Sequence, residues 1–291
     1  MPLVPVPPGV EGLVSIDDLP APAWQDRWDR IFVPAKLKDE LLNYLLFSLR
    51  HRRRVGGVGL PIHGLVVLAG PPGTGKTTLA GGLADRAARE LGEMIMFVEV
   101  NPHAFPSQML GESQRGVARL FARTLPDLAQ RGRPMVVLLD EVEAFAVSRI
   151  GASLETNPVD VHRATDAVLA GVDQVARDCP NVTFIATTNH AVGVDVAFLS
   201  RADLVAEIAL PGPDAIRLIL RDTLREVVPL DGLDDAALGT LAAACALRAM
   251  DARQVRKLVL RAIASRRDLA LAPDRLQLDD IAAVLRSEPA R

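Results

Sequence analysis

A chain of 291 residues, 49% apolar and 24% charged with a formal charge of -3, is long enough for one sizeable α/β core and a smaller second unit. That balance excludes wholesale disorder, and the slight acidity excludes an overall basic field for nucleic acid. Two cysteines, Cys179 and Cys245, exclude a disulfide framework and lack metal-ligand spacing, so both read as core residues in a reducing compartment.

The opening MPLVPVPPGVEG is broken by prolines and has no basic n-region. It is neither a signal peptide nor a membrane span, and a cytoplasmic location is expected. Residues 1–29 are rich in proline and acidic side chains and read as an extended arm, with Trp24 and Trp28 as anchors onto the main body. Leu37, Leu41, Tyr44, Leu45 and Leu49 then recur at helical spacing, predicting an amphipathic helix over 36–50. The basic run His51, Arg52, Arg53, Arg54 reads as its solvated end.

Short apolar runs alternate with helical patterns from there: GLVVLAG before a helix from Lys76, MIMFVEV before a helix from about Glu112, then MVVLLD, NVTFIATTN and LVAEIAL. Continuous apolar runs separated by helices predict a parallel sheet covered on both faces, a three-layer α/β/α domain over 30–211. After the turn of Pro211, Gly212 and Pro213 no strand-like run follows. Helices are expected at 214–227, 234–246, 252–267 and 277–287, with Asp251 capping the third, so 212–291 reads as a small all-helical lid.

The segment Gly70, Pro71, Pro72, Gly73, Thr74, Gly75, Lys76, Thr77 matches GxxxxGK[ST] and lies between a predicted strand and a predicted helix. Its glycines let backbone N–H groups and the following helix N-terminus, with Thr78, wrap the phosphate chain of ATP. Lys76 is expected on the β and γ phosphates and Thr77 on Mg²⁺. Val136 to Leu139 lead into Asp140 and Glu141 at the emerging edge of a buried strand, a Walker B pattern. Asp140 would hold the Mg²⁺ through its water, and Glu141 would orient or polarise the attacking water. Glu143 reads as a helix or pore-side residue. The run Asn181 to Asn189 is another buried strand whose tip, Asn189, suits positioning the lytic water.

With GPPGTGKT, LLDEVEAF, TTNH, DVAFLSRADL and DARQVRKLVL in this order, the chain resembles the pachytene-checkpoint branch of AAA+ ATPases, the remodellers of HORMA-domain proteins, from about Asp29 to Ala262. The resemblance implies that Asn189 is the sensor-one residue, that Arg201 is an arginine finger projected into a neighbouring subunit's site, and that Arg253 is sensor two. It implies a homohexameric ring that grips a HORMA protein in its pore and converts a closed, partner-bound form to an open one. The gripping loop falls on FPSQMLGES, with Gln108, Met109 and Leu110 at its tip. Family members usually carry an aromatic there, where this chain has the flexible Met109. A second pore loop is expected within Gly151 to Asp160.

Eukaryotic relatives add a folded N-terminal substrate-engaging domain, whereas this chain shows only the short arm. In this it resembles the compact bacterial versions found beside HORMA proteins and cyclic-oligonucleotide synthases in anti-phage signalling, where the expected role is to disassemble the HORMA–synthase complex. Two other classes stay open from sequence. A nucleic-acid motor or loader would reveal itself by salt-sensitive, DNA-stimulated hydrolysis. A non-catalytic nucleotide switch would release no phosphate in a single turnover, although the intact Glu141 argues against it.

Overall fold

The computed structural model describes residues 12–55, 62–101, 112–144, 146, 158–229 and 233–287. The chain forms two units. The first comprises residues through Trp28, Ala35–Gly70 and Lys76–Glu207, and the second comprises Asp29–Pro34, Pro71–Gly75 and Ile208–Arg291.

The first unit is built on a six-stranded sheet of β1 (Leu13–Leu19), β2 (Leu65–Ala69), β3 (Ile95–Val100), β4 (Met135–Leu139), β5 (Val182–Thr188) and β6 (Leu204–Glu207) in the order β1-β3-β4-β5-β2-β6. Strands β2 to β6 are all parallel. Every residue of β2, β4 and β5 is buried, which is why β2 and β4 read as unbroken apolar runs in sequence and β5 as an apolar run interspersed with threonines. Helices α2 (Ala35–Val55) and α3 (Lys76–Leu91) cover one face. On the other lie α4 (Glu112–Arg119), a π-helical turn (Leu120–Thr124), α5 (Leu125–Ala129) and α6 (Pro158–Asp178). There Val67, Val98, Val137 and Phe184 join Phe121, Val168 and Val172 in one core. Gly171 of α6 lies so close that a Cβ would stand 2.5 Å from the Phe121 side chain.

The arm expected at 1–29 departs from an extended tether. Its residues Leu13–Leu19 form β1, the one antiparallel strand, paired with β3 so that Ile16 faces Val98. A short helix α1 (Pro22–Asp29) follows. Trp24 lies edge-on to Phe97, with centroids 5.8 Å apart, and fills the space over Gly81 of α3, where a Cβ would come within 2.3 Å of the indole. The Ala21 N–H donates to Asp85 Oδ1 at 2.6 Å, and Arg89 bridges Asp85 and the Ala21 carbonyl at 2.7 and 3.2 Å. Lys38 stacks on Trp28, 4.5 Å from the ring centroid. The arm is therefore braced on the helix that begins at Lys76.

The expectation for the basic run, which forms the last turns of α2, is also corrected at one position. Arg52 is buried rather than solvated, donating to the carbonyls of His63 and Cys179 at 3.0 and 2.9 Å, and burial lowers its pKa. Nearby, Asp203 accepts the N–H groups of His63, Gly64 and Leu65 and the Tyr44 hydroxyl. That cluster fixes where β2 and β6 begin and holds the tyrosine hydroxyl well above its ordinary pKa, chiefly through burial.

The second unit contains α7's successors: α8 (Pro213–Arg225), α9 (Asp235–Leu247), α10 (Ala252–Ala264), α11 (Arg267–Leu271) and α12 (Leu278–Ser287), with α7 itself (Val196–Leu199) belonging to the first unit. Ile216, Leu220, Leu238, Leu241, Val255, Leu258 and Ile281 share its core. Asp251 caps α10 through a reciprocal box with Gln254. The stretch expected as a helix over 252–267 ends at Ala264, and Arg267 opens a separate turn. No described helix is long and apolar enough to cross a membrane.

The arm's anchor gives a stability prediction. Trp24→Ala should destabilise the protein by about 2 kcal/mol or more. Gly81→Ala should destabilise the wild type by clash, yet gain up to about 1 kcal/mol of helix stability once Trp24 is alanine. Denaturant unfolding of the two single variants and the double variant reads this sign reversal.

Candidate nucleotide site

Within the first unit three chain segments, the start of α3 and the ends of β4 and β5, converge at the carboxyl ends of the parallel strands, where open α/β sheets place ligands. The loop after β2 turns at Gly73 and Gly75 with φ of +80° and +89°, values that favour glycine. Within the second unit Gly73 has a further constraint, because the Asp251 carboxylate stands 2.4 Å from where its Cβ would be. Nothing lies within 4 Å of a Cβ built on Gly75. Thr74 stabilises the loop by donating to the Pro71 carbonyl at 2.9 Å.

Lys76 opens α3 and is buried, its ammonium donating to the Gly70 carbonyl at 2.8 Å and to Asn189 Oδ1 at 2.9 Å. Thr77 donates to Asp140 Oδ1 at 2.9 Å, and the same oxygen accepts the Thr187 hydroxyl at 2.5 Å. The Thr187 oxygen in turn accepts the Glu141 N–H at 3.0 Å. Glu141 sits at φ +53°, a strained value for a side-chain-bearing residue that turns the chain off the strand end. Its Oε1 lies 3.4 Å from Asn189 Nδ2. The Asn189 amide thus spans Lys76 and Glu141.

This arrangement can bind a polyphosphate and work on it. A buried ammonium at the first turn of a helix that a glycine-rich stretch precedes in sequence suits an anion. The hard oxygens of Thr77 and Asp140, side by side, suit Mg²⁺. A carboxylate with an amide beside it can orient a water.

The comparisons with known proteins agree in what they match. The model of the ATPase family associated with various cellular activities (AAA) matches residues 66–210. The chain is similar to CD-NTase-associated protein 6 of Pseudomonas aeruginosa, 41% identical over 272 residues that cover 92% of this chain and 89% of that protein. It belongs to the AAA ATPase family. Within that family it falls with CD-NTase-associated protein 6 and the pachytene checkpoint protein 2 homologues. The human homologue is 32% identical over 214 residues, which cover 72% of this chain and 49% of that protein, so the chain spans about half of its length. In fold it is similar to a chain of the E. coli MS115-1 HORMA:CdnC:Trip13 complex, with a TM-score of 0.80 over 98% of this chain and 99% of that one at 20% identity. C. elegans PCH-2 gives a TM-score of 0.75 at 22% identity, covering 94% of this chain and 74% of that chain.

The structure therefore brings Lys76, Thr77, Asp140, Glu141 and Asn189 together. Arg201, beyond α7, is bound within its own chain: Nε and Nη2 donate to the two Asp173 carboxylate oxygens at 2.8 and 2.9 Å, and Nη1 donates to the Ala197 carbonyl at 2.6 Å. The pair holds the Asp173 carboxyl below its usual range and raises the arginine, each chiefly through the shared hydrogen bonds. Arg253 lies on the first turn of α10 in the second unit. Gln108, Met109 and Leu110, and Gly151 to Asn157 of the second expected loop, lie outside the described residues.

Two residues of the site carried no usable signal in sequence. Thr187 is one of several interior strand threonines, and Glu143, expected as a helix or pore-side group, lies in a 3₁₀ turn and also accepts the Asn189 N–H at 3.0 Å. Thr187→Val should cost about 1–3 kcal/mol, because the hydroxyl that takes the Glu141 N–H disappears; chemical denaturation measures it. The Asp173 pairing predicts an acid effect of definite sign. A carboxyl depressed below 3.8 contributes stability that is complete above that unfolded value and is lost as pH falls through the lower folded one. Asp173→Asn should therefore converge with wild type at low pH and be the less stable of the two near neutrality, as read from denaturant midpoints across that range.

Proposed function

We propose that this ATPase is a ring-forming protein remodeller which uses ATP, with Mg²⁺, to open or disassemble complexes of a HORMA-domain protein. Hydrolysis rests on one observation, the convergence of Lys76, Asn189 and Glu141 at a single point. When ATP enters, Lys76 exchanges neutral oxygens for the β and γ phosphates, and the Asn189 amide is released to hold the lytic water against Glu141. Thr77 and Asp140 would hold Mg²⁺, which neutralises charge developing on the phosphates.

Arg201 acts in trans in this reading. Asp173 and the Ala197 carbonyl take three of its five N–H groups. One N–H on each terminal nitrogen is left to face a neighbouring copy's γ phosphate. Such an arginine supplies about 10³ to 10⁵ in rate, roughly 4 to 7 kcal/mol of barrier. A head-to-tail ring, a homohexamer, gives every site that donor. Arg253 on α10 serves as the sensor that reports nucleotide to the lid.

The client assignment is supported by the near full-length likeness to CD-NTase-associated protein 6 and by the fold shared with a chain from a HORMA:CdnC:Trip13 complex. The client is a HORMA protein, alone or with a cyclic-oligonucleotide synthase, in a bacterial anti-phage signalling system that this activity restrains. Residues 108–110 grip it by sequence-tolerant contacts of flexible side chains.

Turnover per subunit should rise with protein concentration and fall by about 10³-fold in Arg201→Ala; concentration-independent turnover in the wild type would overturn catalysis shared between copies. Glu141→Gln should bind ATP without hydrolysing it and retain the HORMA protein in a pull-down made with ATP. Release of that protein on removing ATP, and none retained by Lys76→Ala, completes the expected pattern.

A further inference from the structure

The backbone leaving β4 does not run free. It turns through a 3₁₀ segment, Val142–Ala144, and three of its groups are tied to the chain that leaves β5. The Glu141 N–H donates to Thr187 Oγ1, Glu143 Oε1 accepts the Asn189 N–H at 3.0 Å, and the Ala146 carbonyl accepts the Asp195 N–H at 2.8 Å. Asp195 is the N-cap of α7, accepting the Ala197 N–H, and the carbonyl of that same Ala197 receives Arg201. One short segment therefore carries Glu141 and touches the carriers of Asn189 and Arg201.

Within it Glu143 is the side-chain link. Asn189 lies one residue beyond the last ladder position of β5, Thr188, so the sheet does not hold it. Its N–H is held by Glu143, while its side chain spans Lys76 and Glu141. The second Glu143 oxygen, Oε2, is buried and has no hydrogen-bond partner among the described residues. A buried carboxylate oxygen left without a partner is destabilising, and a carboxylate kept under that cost is a candidate for a role in function rather than packing.

We infer that Glu143 is a positioning residue for ATP hydrolysis, fixing the backbone of Asn189 so that its amide stands between Lys76 and Glu141. The inference rests on the reading of Asn189 and Glu141 as catalytic. It separates Glu143 from both the nucleotide-binding loop and the metal position. Loss of Glu143 should leave nucleotide affinity intact and slow the chemical step.

The test uses the full chain, with steady-state ATP kinetics, ADP affinity and thermal unfolding measured on each variant. Glu143→Ala should lower kcat by about tenfold, a loss on the scale of one hydrogen bond to a charged group, with KM for ATP and ADP affinity within about twofold. Glu143→Gln keeps an acceptor for the Asn189 N–H and should return kcat to within about threefold of wild type. In an Asn189→Ala background, Glu143→Ala should cause no further loss. Wild-type kcat in Glu143→Ala, glutamine as damaging as alanine, full additivity with Asn189→Ala, or ADP affinity lost along with kcat would each overturn the inference. Should the alanine variant not fold, Glu143→Asp withdraws the acceptor by one methylene and carries the same expectation of reduced kcat at unchanged ADP affinity. Lys76→Ala and Glu141→Gln run alongside; if both hydrolyse ATP at the wild-type rate, the reading of the whole site fails, and the positioning role falls with it.

Discussion

Two adjacent parallel strands, β4 and β5, end within reach of a single hydroxyl. Thr187 donates a hydrogen bond to Asp140 and accepts the N–H of Glu141, so one buried side chain holds the Asp140 carboxylate and the Glu141 backbone together. The arrangement is possible because parallel neighbours in register bring their carboxyl ends to the same edge, with Leu139 beside Ala186. From that seam the other contacts follow. Thr77 meets Asp140, Asn189 meets Lys76 and Glu141, and Glu143 meets the Asn189 backbone. A polar network this dense in a largely buried site is stable only when its members satisfy one another, which restricts each side chain to one arrangement.

Much of this is legible in the sequence. Strands buried on both faces leave continuous apolar runs, as β2 and β4 do, and β5 departs from the pattern only by its threonines. The turn from β2 into α3 was legible because its positive-φ positions call for glycine and Lys76 opens the helix. Asp251 as the cap of α10 was legible for a similar reason, since capping is a local bond between residues three apart.

What stayed hidden depends on partners distant in the chain. The strand Leu13–Leu19 carries two aspartates and lies next to prolines, and only its pairing with β3, some 80 residues on, makes it a strand. Arg52 belongs to a basic run whose pattern is that of a solvated helix end, and its burial depends on carbonyls contributed by His63 and Cys179. Glu143 sits between an expected catalytic group and an expected loop, and no spacing rule distinguishes it from a surface glutamate. The Asp173 partner of Arg201 lies 28 residues upstream on α6, a separation that no local pattern reveals.

The antiparallel strand β1 has a consequence for how the molecule keeps its own company. Without it, Ile95–Val100 would form the sheet's border, a run of hydrophobic residues with open N–H and C=O groups along one side. With it, the outermost strand is one bearing Asp17 and Asp18, charges that discourage a stranger from adding itself to the row. The segment thus works as a selvedge, finishing the woven edge so that no foreign backbone extends the row.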